Sequence, residues 1–144
     1  MWAAIPWARV QRTGSPTDRS VLVSLALRCD VLYKSYPSKL RIKRDTELKD
    51  VSTIRRALAR LERKGMIRRV PSLRPNGSHE SNDYYLNVCS CSAEQLEHAD
   101  HEQRCAGGWL DGATTVDDVL ARVAARESEL RDPPRKRRAP RRRS

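Results

Sequence analysis

The sequence predicts an α+β fold, mainly helical with one small β-hairpin, and three observations carry that expectation. Val51, Ile54, Leu58 and Leu61 recur at three- and four-residue steps, the period of a helix with one buried face. Val21, Leu22, Leu25 and Leu27 crowd a second segment that is apolar almost all round. Residues 67–70 and 84–88 are short strand-like runs flanking a stretch rich in Pro, Asn, Gly and Ser, the composition of a hairpin loop. The chain has 144 residues, of which 38% are hydrophobic and 5% aromatic, with no Phe, so the material suffices for one modest core plus appendages.

In chain order, Trp7, Ala8, Arg9 and Val10 read as a brief strand ended by Gly14-Ser15-Pro16. A helix starts there. Ser15 or Thr17 can cap it, Pro16 suits its first turn and Asp18 complements its dipole. It is expected to end between residues 30 and 34 and to be central to the core, with Cys29 as a small buried hydrophobe. Ser38 can cap a short helix over residues 39–46, with Leu40 and Ile42 facing inward. Leu48 and Lys49 turn the chain, and the Asp50 carboxylate caps the next helix by accepting from its unpaired amides. Lys64 falls in the last turn, and Gly65 supplies the left-handed residue that stops it. Residues 67–70 follow as a half-exposed strand, residues 71–82 as a loop turning at Pro75-Asn76-Gly77, and residues 84–88 as the returning strand. Two helices joined by a short turn, the second basic on its outer face, followed by a basic hairpin, make a winged helix-turn-helix.

The outer face of the second of those helices directs the functional expectation. At about 100° per residue, Ser52, Arg56, Ala59 and Arg63 point away from the apolar stripe, with Thr53, Arg55 and Arg60 on its flanks. On an isolated helix this is an ordinary solvated face. Beside a second helix and a basic hairpin, arginine forks and short hydroxyls are the groups that reach phosphates and base edges in a DNA groove. Ser52, Thr53, Arg55, Arg56 and Arg60 are therefore expected to make major-groove and adjacent phosphate contacts. Lys39 and Lys43 would hold the DNA backbone from the preceding helix. Arg68, Arg69, Arg74 and Asn76 would use the hairpin against phosphate or the minor groove.

Charge supports a polyanionic partner. The net charge is +11, and residues 1–88 carry 18 Lys/Arg against 8 Asp/Glu, whereas residues 133–144 carry 7 against none. Basic regions at both ends, separated by a slightly acidic middle, point first to double-stranded DNA.

Residues 17–27, the Tyr36-Pro37-Ser38 step, and residues 54–68 with their Lys64-Gly65 junction resemble the winged helix-turn-helix domains of bacterial, phage and plasmid proteins. Arg74-Pro75-Asn76-Gly77-Ser78 with residues 81–86 is similar to their wing, and Trp7-Ala8-Arg9-Val10 to a strand that often precedes their first helix. The similarity covers about residues 7–88. It implies DNA binding through the third helix and wing, in a group that includes transcription regulators and replication-initiation proteins. Two departures stand out: Lys49 where that group usually has an apolar residue, and Asp50 where Ser or Thr is commoner at the cap. An acidic cap near phosphates costs some attraction, and it marks either an altered base preference or a stronger cap.

Residues 89–113 form a Cys/His-containing linker. Cys89, Cys91, His98, His101 and Cys105 follow the spacing C-x-C-x6-H-x2-H-x3-C, five soft or borderline donors where zinc takes four. Structural zinc on four of the five is one expectation; a short polar helix over residues 93–102 with incidental thiols and histidines is the other. No other cofactor is called for. Gly107, Gly108 and Gly112 read as a linker around Trp109 and Leu110. Within residues 114–131, a capping-box-like start at Thr115 precedes an apolar stripe of Val116, Val119, Leu120, Val123 and Leu130. A helix this short is marginal alone, so residues 114–130 should dock on the domain, pair as a homodimer or meet a protein partner. Residues 132–144 read as a disordered basic tail that adds phosphate affinity without sequence choice.

Several classes are disfavoured. Nothing approaches the ~18 consecutive apolar residues of a membrane span, and no export signal is visible. Reduced thiols and a cytoplasmic, nucleoid-associated protein are expected. No nucleophile–base pair or Gly-rich phosphate loop can be placed, so an enzyme is not expected. A small transcription regulator is the leading expectation. The alternatives are a phage or plasmid replication-initiation factor recruiting machinery through residues 89–130, and a winged-helix module that binds acidic proteins or RNA.

Overall fold

Helix formation begins before Trp7. In the computed structural model, which describes residues 3–72 and 81–131, α1 (Ala4–Val10) occupies the segment expected as a strand. Ala4, Trp7 and Ala8 are buried at the i, i+3, i+4 spacing of one helix face, and Pro6 sits in the first turn where no amide is lost. Four residues read from Trp7 onward are too few to reveal that period.

α2 (Pro16–Leu27) is capped by Ser15, whose hydroxyl accepts from the Asp18 amide at 3.1 Å. It buries Val21, Leu22 and Leu25 and stops earlier than expected. The reason is Asp30, whose Oδ1 accepts from the Leu32 and Lys34 amides at 2.9 and 3.1 Å and turns the chain. Cys29 is buried in the core, as expected. α3 (Lys39–Thr46) is capped by Ser38, which accepts from the Arg41 amide at 3.2 Å. Ile42 is buried, but Leu40 is 70% exposed. Residues two apart on a helix point about 200° apart, so the pair cannot share the inner face. Asp45 ties α3 to α2 by accepting from Ser24 Oγ at 3.0 Å and from Arg28 at 2.6 and 2.8 Å.

α4 (Val51–Arg63) follows the sequence closely. Asp50 accepts from the Ser52 amide at 3.0 Å, and Ile54, Ala57, Leu58 and Leu61 are buried. At its end the Gly65 amide donates to Glu62 O at 3.0 Å and the Met66 amide to Leu61 O at 3.1 Å, with Gly65 at φ +74°. This paired closure needs a left-handed residue, the conformation glycine adopts without strain.

β1 (Lys34–Ser35), β2 (Ile67–Ser72) and β3 (Ser81–Leu86) form an antiparallel sheet in the order β1-β3-β2, with Ile67 opposite Leu86 and Ser72 opposite Ser81. The two-residue β1 had no sequence signal. Residues 71, 72, 81 and 82, expected as loop, belong to the strands, while Asn87 and Val88 lie beyond the ladder. The expected turn at residues 75–77 lies outside the described residues. Ile67 and Val70 are both buried although β2 was expected to be half exposed. Three positions apart on a strand, they face opposite sides, and both sides are covered. Ile67, Tyr84 and Leu86 join the helical core; Val70 and Tyr85 join a second cluster with Leu110, Ala113, Val119 and Val123.

The expected helix over residues 93–102 is broken in two, α5 (Ala93–Glu97) and α6 (His101–Arg104), and Leu96 reaches the main core. Residues 107–113, expected as a linker, pack against the sheet. Trp109 Nε1 donates to Leu86 O at 2.7 Å, the Leu110 amide donates to Asn87 Oδ1 at 2.7 Å, and Leu110 is fully buried. Gly108 passes so near Asn87 that a Cβ would collide with its backbone carbonyl. α7 (Val116–Arg131) starts with reciprocal bonds between Thr115 and Asp118, and it docks on the second cluster through Val119 and Val123. Arg126 fastens it by donating to Val31 O while lying 4.5 Å from the Tyr33 ring centre and 5.6 Å from that of Trp109. Val116, Leu120 and Leu130 of the stripe remain exposed. The described residues thus make a mixed α+β architecture of seven helices and one small sheet. Among them no helix is long and apolar enough to cross a membrane.

Candidate nucleic-acid interface and metal centre

α4 holds its cations on the side opposite its buried stripe. Arg55, Arg56 and Arg63 are exposed, and Ser52 and Thr53 are half-buried at the helix start. Arg56 folds back along the helix, donating to Ser52 O at 3.3 Å and to Ser52 Oγ at 3.2 Å, while Ser52 Oγ donates to Asp50 Oδ2 at 2.7 Å. The Ser52 hydroxyl, then its amide, hold the Asp50 carboxyl below the usual carboxylate range, with Arg56 and Lys43 adding attraction. Asp50 therefore remains an anion at the head of this face.

Arg60 is oriented differently. Its Nε donates to Asp18 Oδ2 at 2.9 Å and its Nη2 to Asp18 Oδ1 at 2.7 Å, joining α4 to α2. Asp18 is 1% exposed, and hydrogen bonding to Arg60 holds its carboxyl below the ordinary range. Lys64 reinforces the junction by donating to Thr13 O. Sequence reasoning placed Asp18 at a helix dipole and Arg60 at a groove. Forty-two positions separate the two residues, and no local pattern pairs them.

Where α4 meets the sheet there is a groove of about 710 Å³ lined by Lys39, Arg55, Arg63, Arg68 and Arg69, with Glu62 the single carboxylate among its described lining residues and Tyr84 and Leu58 among its apolar walls. Arg68 donates to Glu62 O at 3.4 Å, its buried Nε has no partner among the described residues, and Arg69 lies 3.9 Å from the Glu62 carboxylate. Four of the expected DNA-binding residues, Lys39, Arg55, Arg68 and Arg69, converge here, joined by the outward-facing Arg63. Lys43 does not line the groove. Arg74 and Asn76 lie outside the described residues.

Cys89 and Cys91 follow β3, His101 begins α6 and Cys105 ends it. Their donor atoms all lie within 4.8 Å of one another, close enough to hold a metal ion. Cys91 Sγ is 3.6 Å from Cys105 Sγ, and Cys89 Sγ is 3.7 Å from His101 Nε2. The thiols are free. Burial pushes the Cys89 thiol up, and burial with the neighbouring Cys105 and Cys89 sulfurs pushes Cys91 up to about 12. His98, the fifth expected donor, is exposed at the break between α5 and α6 and is not part of the cluster. Comparison with known proteins adds no relative: no family model, curated protein or solved structure matches this chain.

Proposed function

We propose that the chain is a winged helix-turn-helix protein that binds double-stranded DNA in a sequence-dependent way and acts as a small transcription regulator. The observation that carries this reading is the groove between α4 and the sheet, which five cationic side chains and one carboxylate line among the described residues. An excess of positive charge in a concave surface favours a polyanion over any neutral ligand. In this reading α4 enters the major groove with Ser52, Thr53 and Arg56 toward the bases. Arg56 exchanges its exposed bonds to Ser52 for a guanine edge, an inexpensive exchange because both ends already face water. Lys39, Arg55 and Arg63 take phosphates, and Arg68 and Arg69, with Arg74 and Asn76 beyond them, serve the β2–β3 hairpin. Arg60 supports α4 through Asp18.

A second reading draws on the exposed Val116, Leu120 and Leu130 of α7. They offer a partner surface, as a replication-initiation factor recruiting machinery to an origin would need.

The test is selection from random duplexes with the full chain at near-physiological salt. A recovered motif supports sequence readout, and a palindromic motif reports a dimer. Binding that vanishes with salt and returns no motif overturns sequence readout and moves the weight to an architectural or protein-interaction role. Given a motif, its occurrence at an origin without an effect on promoters selects the replication reading.

A further inference from the structure

Residues 89–105 fold back on themselves with little of their own to hold them. α5 and α6 have five and four residues, far below the length at which a helix is stable alone. Apart from Cys89, Leu96 is the one buried apolar side chain among the described ones of this segment. Such a segment needs another source of folding free energy, and four metal-type donors converge within it.

We propose that Cys89, Cys91, His101 and Cys105 hold one structural Zn2+ ion, and that this ion fixes residues 89–113, and through them α7, onto the domain. Three thiolates and one neutral imidazole complete the four-coordinate shell of a closed structural site, with no open position for a substrate. Zinc–sulfur bonds of about 2.3 Å and zinc–nitrogen bonds of about 2.0–2.1 Å in a tetrahedron set S···S near ~3.8 Å and S···N near ~3.6 Å. Two of the six edges, 3.6 Å for Cys91–Cys105 and 3.7 Å for Cys89–His101, have about those lengths, and all six lie within 4.8 Å. A disulfide, at about 2.05 Å, would need a much closer approach. The Gly107 amide donates to Cys105 Sγ at 3.3 Å, a bond that strengthens when the sulfur is a metal-bound thiolate. Soft sulfur donors in a tetrahedral set select zinc over magnesium, calcium or manganese.

The consequence for the fold follows from connectivity. Cys89 forms an isolated antiparallel bridge with Gly108, and Cys105 stands immediately before the loop carrying Trp109 and Leu110. An ion joining Cys89 to Cys105 therefore pins both sides of that bridge. Leu110 and Ala113, thus positioned, form the floor on which Val119 and Val123 rest.

This inference is independent of nucleic-acid binding and is tested on the full chain, purified without chelator and with its thiols reduced. Elemental analysis is expected to give one zinc per chain. Replacement by Co2+ should produce the intense visible bands of a tetrahedral thiolate site. His98→Ala should keep both signals, and His101→Ala and Cys105→Ser should lose stoichiometric metal. Because a ligand variant can simply fail to fold, the unaltered chain supplies a second readout. Zinc should protect Cys89, Cys91 and Cys105 from alkylation, and a chelator should expose them and shift tryptophan emission to the red as Trp109 loses its packing. A chain that takes up neither zinc nor cobalt, thiols that alkylate equally with and without zinc, or loss of metal in His98→Ala would each overturn the site. A coloured protein carrying stoichiometric iron would overturn zinc as its occupant.

Discussion

Removing Arg60 should cost more stability than removing Asp18, although the two side chains share one ion pair. The asymmetry comes from burial: Asp18 is 1% exposed, whereas the Arg60 side chain is 39% exposed. In Arg60→Ala the carboxylate stays buried and loses its bidentate partner, keeping only Ser15 and the more distant Lys64. Breaking a fully buried pair from one side costs about 3–5 kcal/mol, but Arg60 is partly exposed, its truncation admits water and Ser15 and Lys64 remain, so the loss here falls below that range, at about 2–3 kcal/mol. In Asp18→Ala the guanidinium can turn to water, so the loss is about 1–2 kcal/mol, part of it from the helix dipole. Urea unfolding at neutral pH, followed by tryptophan emission, measures both. The pH dependence adds a sign. In the native protein the Asp18 carboxyl lies below its unfolded value, so its contribution is present above that value, about 3.9, and is lost as pH falls through the folded one. In Arg60→Ala the largest cause of that depression is gone, so the folded value moves up toward the unfolded one. Less stability is then lost on acidification than in the native protein, and the deficit should narrow as pH falls through the carboxylate range. Equal losses for the two variants, or a deficit in Arg60→Ala below about 0.5 kcal/mol at every pH, would refute the reasoning and return Arg60 to the solvent face.

Three further outcomes are expected. Arg56→Ala should relax preference by about 1–3 kcal/mol at one base pair while sparing random duplex, and equal losses on both would remove its base-reading role. Leu110→Ala deletes a fully buried side chain between sheet and α7 and should cost about 2–5 kcal/mol, with faster amide exchange across α7. A loss under about 1 kcal/mol with α7 still protected would contradict the docking account. Removing residues 133–144 should weaken all duplexes alike and lower the salt slope by about 0.9 for each phosphate that the segment neutralises; an unchanged slope means that it touches no phosphate.

Asp50, the stripe from Val51 to Leu61, and Gly65 together delimit α4 within sixteen residues, and each acts on its immediate neighbours through a cap, a period or a left-handed turn. Ser15 and Ser38 start α2 and α3 in the same way. Those elements were legible because their causes are local. The rest required the folded chain. α1 hid because the segment read as a strand caught only part of its buried face, and β1 because two residues carry no period. Leu40 cannot share the buried face of Ile42, because two helical steps turn through more than half a revolution. Residues 107–113 read as a linker because their glycines are visible in sequence, whereas the close approach to Asn87 and the burial of Leu110 are not. The cysteines and histidines narrowed a metal site to five donors. Tertiary structure excluded His98, since α5 ends there and the chain turns before His101 reaches Cys89. Arg60 and Asp18 make the same point across two helices. A residue's charge and helix position can be read from its neighbours in sequence, but its partner is whatever packing brings within 3 Å of it.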